Sequence, residues 1–140
     1  MSSINKQKSI LFKFLSIFSV VRIYNILIIV LAQYLTSIFI LSDKKPFDVV
    51  FDFNLFLLIL CSSLSIASGY IINNFYDQKK DVINKPIKSK IDDVVKNSTK
   101  LYFYFFLNFV VIFFASIISL RAIIFFSVYI FFLWFYSHKL

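Results

Sequence analysis

This chain reads as an all-α, polytopic membrane bundle of about four transmembrane helices, and three observations carry that reading. Sixty per cent of its 140 residues are apolar and 21% aromatic, with one glycine and two prolines. Soluble chains average about 45–50% apolar and several per cent glycine. Four apolar stretches, 23–42, 54–73, 101–119 and 122–137, come close to the ~20 residues that a helix needs to cross the hydrocarbon core. The charges, fifteen basic and seven acidic, fall almost wholly between those stretches. In lipid each segment must satisfy its own backbone hydrogen bonds, so helices are expected despite the many Phe, Ile and Tyr that favour strands in water.

In chain order, residues 1–21 form a separate amino-terminal segment. Within it Ser9, Lys13, Ser16 and Val20 fall on one helical stripe and Ile10, Leu11, Phe12, Phe14, Leu15, Ile17 and Phe18 cover the rest. That pattern suits a helix lying in the membrane interface. A cleavable signal peptide fits poorly, because no small-residue cleavage site follows and Arg22 interrupts the apolar run. The membrane domain occupies 22–140. Its first connector, Ser42 to Phe53, balances Lys44 and Lys45 against Asp43, Asp48 and Asp52. The segment 73–100 is read as a motif-bearing loop that holds Lys79, Lys80, Lys85, Lys88, Lys90, Lys96 and Lys100. Only Arg121 occupies the tight turn between spans three and four. The bias of Lys and Arg toward cytoplasmic span ends places both termini and the 73–100 loop in the cytoplasm. The net charge of +8 then expresses topology and attraction to anionic headgroups. Nothing resembles a base-reading module, so no nucleic-acid partner is expected.

What is missing narrows the chemistry. One Cys (Cys61) and one His (His138) cannot supply the three or four ligands of a zinc site. A single cysteine makes no internal disulfide, and Cys61, inside span two, reads as a small packing residue. The single glycine, Gly69, rules out phosphate-binding and dinucleotide fingerprints. All seven acids are aspartates, which leaves an EF-hand loop without its usual Glu. The acids available near a membrane face and an apolar run are Asp77 and Asp81.

Those two acids recur with Asn73 every four residues in Asn73-Asn74-Phe75-Tyr76-Asp77-Gln78-Lys79-Lys80-Asp81, directly after span two. On a helix, residues four apart share one face with Cβ atoms about 5–6 Å apart. An amide and two carboxylates so aligned suit Mg²⁺, which takes one or two carboxylates and completes its shell with phosphate oxygens and water. At the mouth of a span this points to a lipid diphosphate. The plainer reading is a solvated helix end whose acids neighbour Lys79 and Lys80; spacing alone leaves both open. Asn84-Lys85-Pro86-Ile87-Lys88 bends the chain, which could return Lys85 and Lys88 over a metal-bound diphosphate, or these lysines serve topology alone. In span two, Ser62, Ser63, Ser65, Ala67, Ser68 and Gly69 cluster; small residues permit close helix approach, or they leave a groove for an isoprenoid tail. Arg22 and Asn25 lie one turn apart where span one begins. Arginine there is usually an anchor, whereas Asn25 and Asn108, within apolar runs, call for a partner or a cavity.

Taken together, Gly69-Tyr70-Ile71-Ile72-Asn73-Asn74-Phe75-Tyr76-Asp77, with Asp81 and Asn84-Lys85-Pro86, resemble the first aspartate-rich motif of the UbiA prenyltransferase superfamily, N-(D/Q)-x-x-D-x-x-x-D followed by N-R-P. Arg22-Ile23-Tyr24-Asn25 is similar to the R-x-x-N that opens the family's first helix. The flavour is closest to geranylgeranylglycerol-phosphate geranylgeranyltransferases. The resemblance implies Mg²⁺ held by Asn73, Asp77 and Asp81, with the two aspartates as catalytic ligands. It implies donor or acceptor contacts at Arg22, Asn25, Asn74, Lys85, Lys88 and Tyr136, and transfer of a polyprenyl group, such as geranylgeranyl, from its diphosphate to a lipid-phosphate or aromatic acceptor.

There are departures. Asn74 stands for the usual Asp or Gln, and Lys85 for the common Arg. If the family's Y-x-x-x-K begins at Tyr136, Leu140 falls where the lysine belongs and Lys139 comes one residue early. The second aspartate-rich motif has no counterpart, so the chain is expected to represent an amino-terminal half that works with a carboxy-terminal half supplied in cis or trans. Two other classes remain in view. One is a non-catalytic four-span assembly or anchor protein whose aspartates pair with nearby lysines. The other is a transporter fragment, for which ionisable groups near the midplane or helices broken by Gly or Pro would be the sign.

Overall fold

The computed structural model describes residues 20–84 and 95–139, with side chains through Asp77 in the first of these segments. The interfacial helix expected over 9–20 falls almost entirely outside them, as do Lys85, Lys88 and the side chain of Asp81.

The described chain is helical throughout. Val20 and Val21 are helical, and Arg22 then takes a left-handed conformation (φ 52°, ψ 53°). Helix α1 follows, Ile23–Thr36, and widens into a π-helical turn over Ser37–Leu41. At the junction the Ser37 amide is shared between the carbonyls of Gln33 and Tyr34. A short helix α2, Pro46–Val50, opens with proline at its start, where the missing amide costs nothing. Helix α3 runs Phe53–Asn84, α4 Asn97–Ile118 and α5 Leu120–Lys139. Four helices, Ile23–Leu41, the Phe53–Asp77 part of α3, Asn97–Ile118 and Leu120–Lys139, are long and apolar enough to cross a membrane. The expected spans are all present: the first ends one residue sooner, at Leu41, and the other three begin one to four residues earlier than expected.

Local chemistry explains the boundaries. Asp52 caps α3: its Oδ1 accepts the Leu55 amide at 3.0 Å, a bond worth about 1 kcal/mol at a helix start. Ser119, the only residue between α4 and α5, is extended and caps α5 by accepting the Ala122 amide at 3.1 Å. The Lys44–Asp52 ion pair in the first connector is long, 3.8 Å, and solvent-facing, so it contributes little.

Helix α3 has 32 residues, a length of about 48 Å at 1.5 Å per residue, against a hydrocarbon core of about 30 Å. Its last turns therefore leave the apolar slab as helix. The segment expected as a loop over 73–100 is helical through Asn84 and again from Asn97. No glycine or proline lies between Gly69 and Pro86 to stop it sooner.

Helix α3 is the hub and packs against α1, α4 and α5. One stripe, Cys61, Ser65, Ser68 and Ile72, is buried. Cys61 Sγ points to the Val111 carbonyl of α4 at 3.7 Å. Ser65 and Ser68 return their hydroxyls to carbonyls of their own helix, Cys61 and Ser65, at 2.8 Å each, so burying them leaves no donor unpaired. Lipid is as apolar as these side chains, so close van der Waals contact and hydrogen bonds, not water exclusion, hold such helices together. Two core clusters result: Cys61, Val111, Ala115, Ala122 and Phe126 at one end, and Val20, Val21, Ile26, Ala67, Ile71, Ile72, Tyr104 and Leu107 toward the end bearing the aspartate motif. The exposed aromatics, Phe105, Phe109, Phe132 and Tyr102 among them, form the lipid-facing surface. Helix α1 touches the others least; most of its length is exposed.

Candidate functional site: a polar-mouthed cleft between α1, α3 and α5

A second stripe on α3, Ile66, Gly69, Tyr70, Asn73 and Asp77, faces away from α4. It lines a cleft of about 680 Å³ together with Arg22 and Ile29 on the α1 side and Tyr129, Leu133, Tyr136 and Ser137 of α5. The polar groups gather at one mouth and the depth is walled by apolar side chains.

At that mouth, Asn73 Nδ2 donates to Asp77 Oδ2 at 2.7 Å, so the two groups separated by four residues do share a face. Amide oxygen and nitrogen are assigned from the hydrogen-bond pattern. A cation at Asp77 would favour the flipped amide, with its carbonyl oxygen inward. Asn73 and Asp77 are half-buried. Across the cleft, the Arg22 guanidinium lies over the Tyr70 ring, 5.2 Å from its centroid. Asn25 Nδ2 donates to the Tyr70 hydroxyl at 3.3 Å. Asn25, expected to need a partner or a cavity, finds its partner on α3, because Tyr70 reaches across the helix interface. Tyr70 thereby fixes the start of α1 by two contacts. Its part was missed in the sequence, although it sits three residues before Asn73 and seven before Asp77, on the same helical face.

The other expected site residues divide. Tyr136 lines the cleft from α5. Lys139, next to the family's lysine position, sets its ammonium over the Phe135 ring at 5.1 Å, along its own helix. Asn74 does not reach the cleft. It is buried toward α4, where Lys100 Nζ donates to its Oδ1 at 2.8 Å. Asn73 lines the cleft, whereas Asn74, about 100° further round the helix, points toward α4. Asp81 continues the face by spacing, but its side chain, like Lys85 and Lys88, falls outside the described residues. His138 stacks on Trp134 and meets Tyr76 edge-on, both at 5.4 Å, tying the end of α5 to the motif turn of α3.

Gly69 lies where α3 and α5 approach. A Cβ built there would come within 3.2 Å of Leu133 Cδ1, closer than an ordinary contact. Ser65, Ser68 and Gly69 therefore serve close packing, and Gly69 also lines the cleft.

The donor set fits a hard divalent cation. Asp77 supplies a carboxylate and Asn73 an amide beside it, in a mouth whose opposite wall carries Arg22, and Mg²⁺ is held by few protein oxygens when phosphate supplies the others.

No curated protein and no solved structure matches the chain significantly. The sequence profile of the UbiA prenyltransferase family does match, over residues 26–140; Arg22 and Asn25 lie just before that region. Members of that family transfer prenyl groups and are generally Mg²⁺-dependent. With a match over most of its length, at the helices that wall the cleft and the turn that bears Asn73 and Asp77, this chain belongs to the UbiA prenyltransferase family.

Proposed function

We propose that the cleft binds a polyprenyl diphosphate donor and takes part in transfer of its prenyl group, geranylgeranyl being the chain we favour, to a lipid-phosphate or aromatic acceptor. The observation that carries this reading is the gathering of Arg22, Asn73 and Asp77 at the mouth of one cleft whose depth is walled by Ile29, Ile66, Gly69 and Leu133. An anionic head joined to an apolar tail matches that division of polar and apolar lining.

In this reading Asn73 and Asp77, with Asp81 by continuity of the helix face, hold Mg²⁺, which when bound neutralises charge on the diphosphate as it leaves. Arg22 binds diphosphate oxygens from the α1 side, where its planar fork suits phosphate. Tyr70 orients Arg22 through its ring, and Asn25 orients Tyr70. Ile66, Tyr129 and Leu133 exclude water, so that the allylic C–O bond breaks in a medium where fixed charges act strongly. The acceptor's nucleophilic atom then bonds the prenyl carbon and gives up its proton to water or to the departing diphosphate, which keeps the electron pair of the broken bond. Lys85 and Lys88 are proposed as further diphosphate contacts and Tyr136 as a substrate contact. We place the motif end of the bundle, with both termini, on the cytoplasmic side, from the lysine distribution.

The test is equilibrium binding of labelled geranylgeranyl diphosphate to the purified chain in nanodiscs, with Mg²⁺ and with chelator. Binding that requires both Mg²⁺ and Asp77 supports the reading. Equal binding by Asp77→Asn would show that the diphosphate sits elsewhere.

A further inference from the structure

Lys100 is in an unfavourable place. It is 2% exposed, in the first turn of α4, where the helix dipole disfavours a cation and burial disfavours any charge. Its ammonium donates to Asn74 Oδ1 at 2.8 Å. It also lines a small, half-open space with Val20, Val21, Ile71 and Phe103. Lys100 therefore stands where two segments meet: the residues leading into Arg22, and the turn of α3 that carries Asn73 and Asp77.

We propose that Lys100, through Asn74, is a positioning residue for the cleft, an assignment that rests on the function proposed above. Asn74 is drawn toward α4 by the ammonium. Because consecutive helical residues point about 100° apart, this sets the rotation of the last membrane turn of α3 and turns Asn73 and Asp77 toward α1 and α5. Packing of Val20 and Val21 at the same spot holds the approach to Arg22, so the two sides of the mouth are referenced to one buried cation. Lys100 touches neither the metal nor the donor; it acts on the groups that do. Supporting residues of this kind typically change metal affinity or activity by about 10–100-fold when removed.

Two readouts separate this inference from the reading it rests on. The first needs no ligand. In a Cys61→Ser background, the rate at which a water-soluble maleimide labels Asp77→Cys is compared with the rate for Tyr76→Cys. Lys100→Met and Asn74→Leu should change that ratio, because the turn is free to rotate; Asn74→Asp, which keeps an acceptor for the ammonium, should preserve it. The second is Mg²⁺-dependent binding of geranylgeranyl diphosphate to the full chain with its native Asp77. Lys100→Met and Asn74→Leu should each weaken it about 10–100-fold, the double variant should lose no more than either single one, and Asn74→Asp should bind as the unaltered chain does. Circular dichroism should show unchanged helix content in each variant. An unchanged labelling ratio in Lys100→Met overturns the positioning role. So do additive losses in the double variant, or a loss in Asn74→Asp equal to that in Asn74→Leu. If the unaltered chain binds no donor while the ratio still shifts, the proposed function fails and the control of the helix turn by Lys100 stands.

Discussion

Substitution of Arg22 should separate the stability of the fold from its affinity for a diphosphate. A left-handed backbone costs a residue with a side chain about 1–2 kcal/mol, and Arg22 is the one described non-glycine residue at positive φ. Its contact with the Tyr70 ring returns about 0.5–1 kcal/mol at an exposed position, less than the strain. Arg22→Gly removes the strain and the ring contact and adds about 0.5–1 kcal/mol of backbone entropy cost, so stability should stay close to that of the unaltered chain. Arg22→Ala keeps the strain and loses the contact. The alanine variant should therefore be less stable than the glycine variant by about 1 kcal/mol. Affinity should behave differently: both lose a charged hydrogen-bond donor, about 1.5–3 kcal/mol, or roughly 10–100-fold in Mg²⁺-dependent prenyl diphosphate binding. Denaturant titration in detergent followed by circular dichroism gives the first quantity, and binding in nanodiscs the second. An alanine variant as stable as the glycine variant would refute the strain argument, and unaltered binding by Arg22→Gly would remove Arg22 from the diphosphate site.

Asp77→Asn or Asn73→Leu should abolish Mg²⁺-dependent donor binding, while Asp52→Asn, which can still cap α3, should bind normally in the same assay. Gly69→Ala should be nearly neutral in thermal unfolding, because the mobile end of Leu133 can yield a few tenths of an ångström while the helix gains about 0.5–1 kcal/mol; Gly69→Leu should separate α3 from α5 and lower the midpoint clearly. In a Cys61→Ser background, the exposed positions Asp48 and Ser98, replaced singly by cysteine, should label from opposite faces of the membrane; labelling from one face would end the four-span topology.

The sequence by itself determined the fold class, because the bilayer admits few solutions: an apolar run of span length must close its own hydrogen bonds, so composition and the placement of charge define the spans. It also determined that Asn73 and Asp77 share a face, since a period of four on a helix is local geometry. The continuation of α3 to Asn84 was nearly legible, since the first proline after Gly69 is Pro86. Which way each helix faces was decided only in the tertiary structure. Neighbouring Asn73 and Asn74 look alike in the sequence, yet one enters the cleft and the other is buried against Lys100, a choice made by the rotation of α3 against α4. Lys100 reads in the sequence as one more topology lysine, and only the packing of three segments around it reveals a buried cation. Tyr70 likewise reads as one aromatic among many, and becomes central because Arg22 and Asn25 of another segment come to it. Periodicity along one helix records which residues share a face. The partner each face meets depends on contacts between residues 26 to 50 positions apart, for which a single chain's pattern holds no local signal.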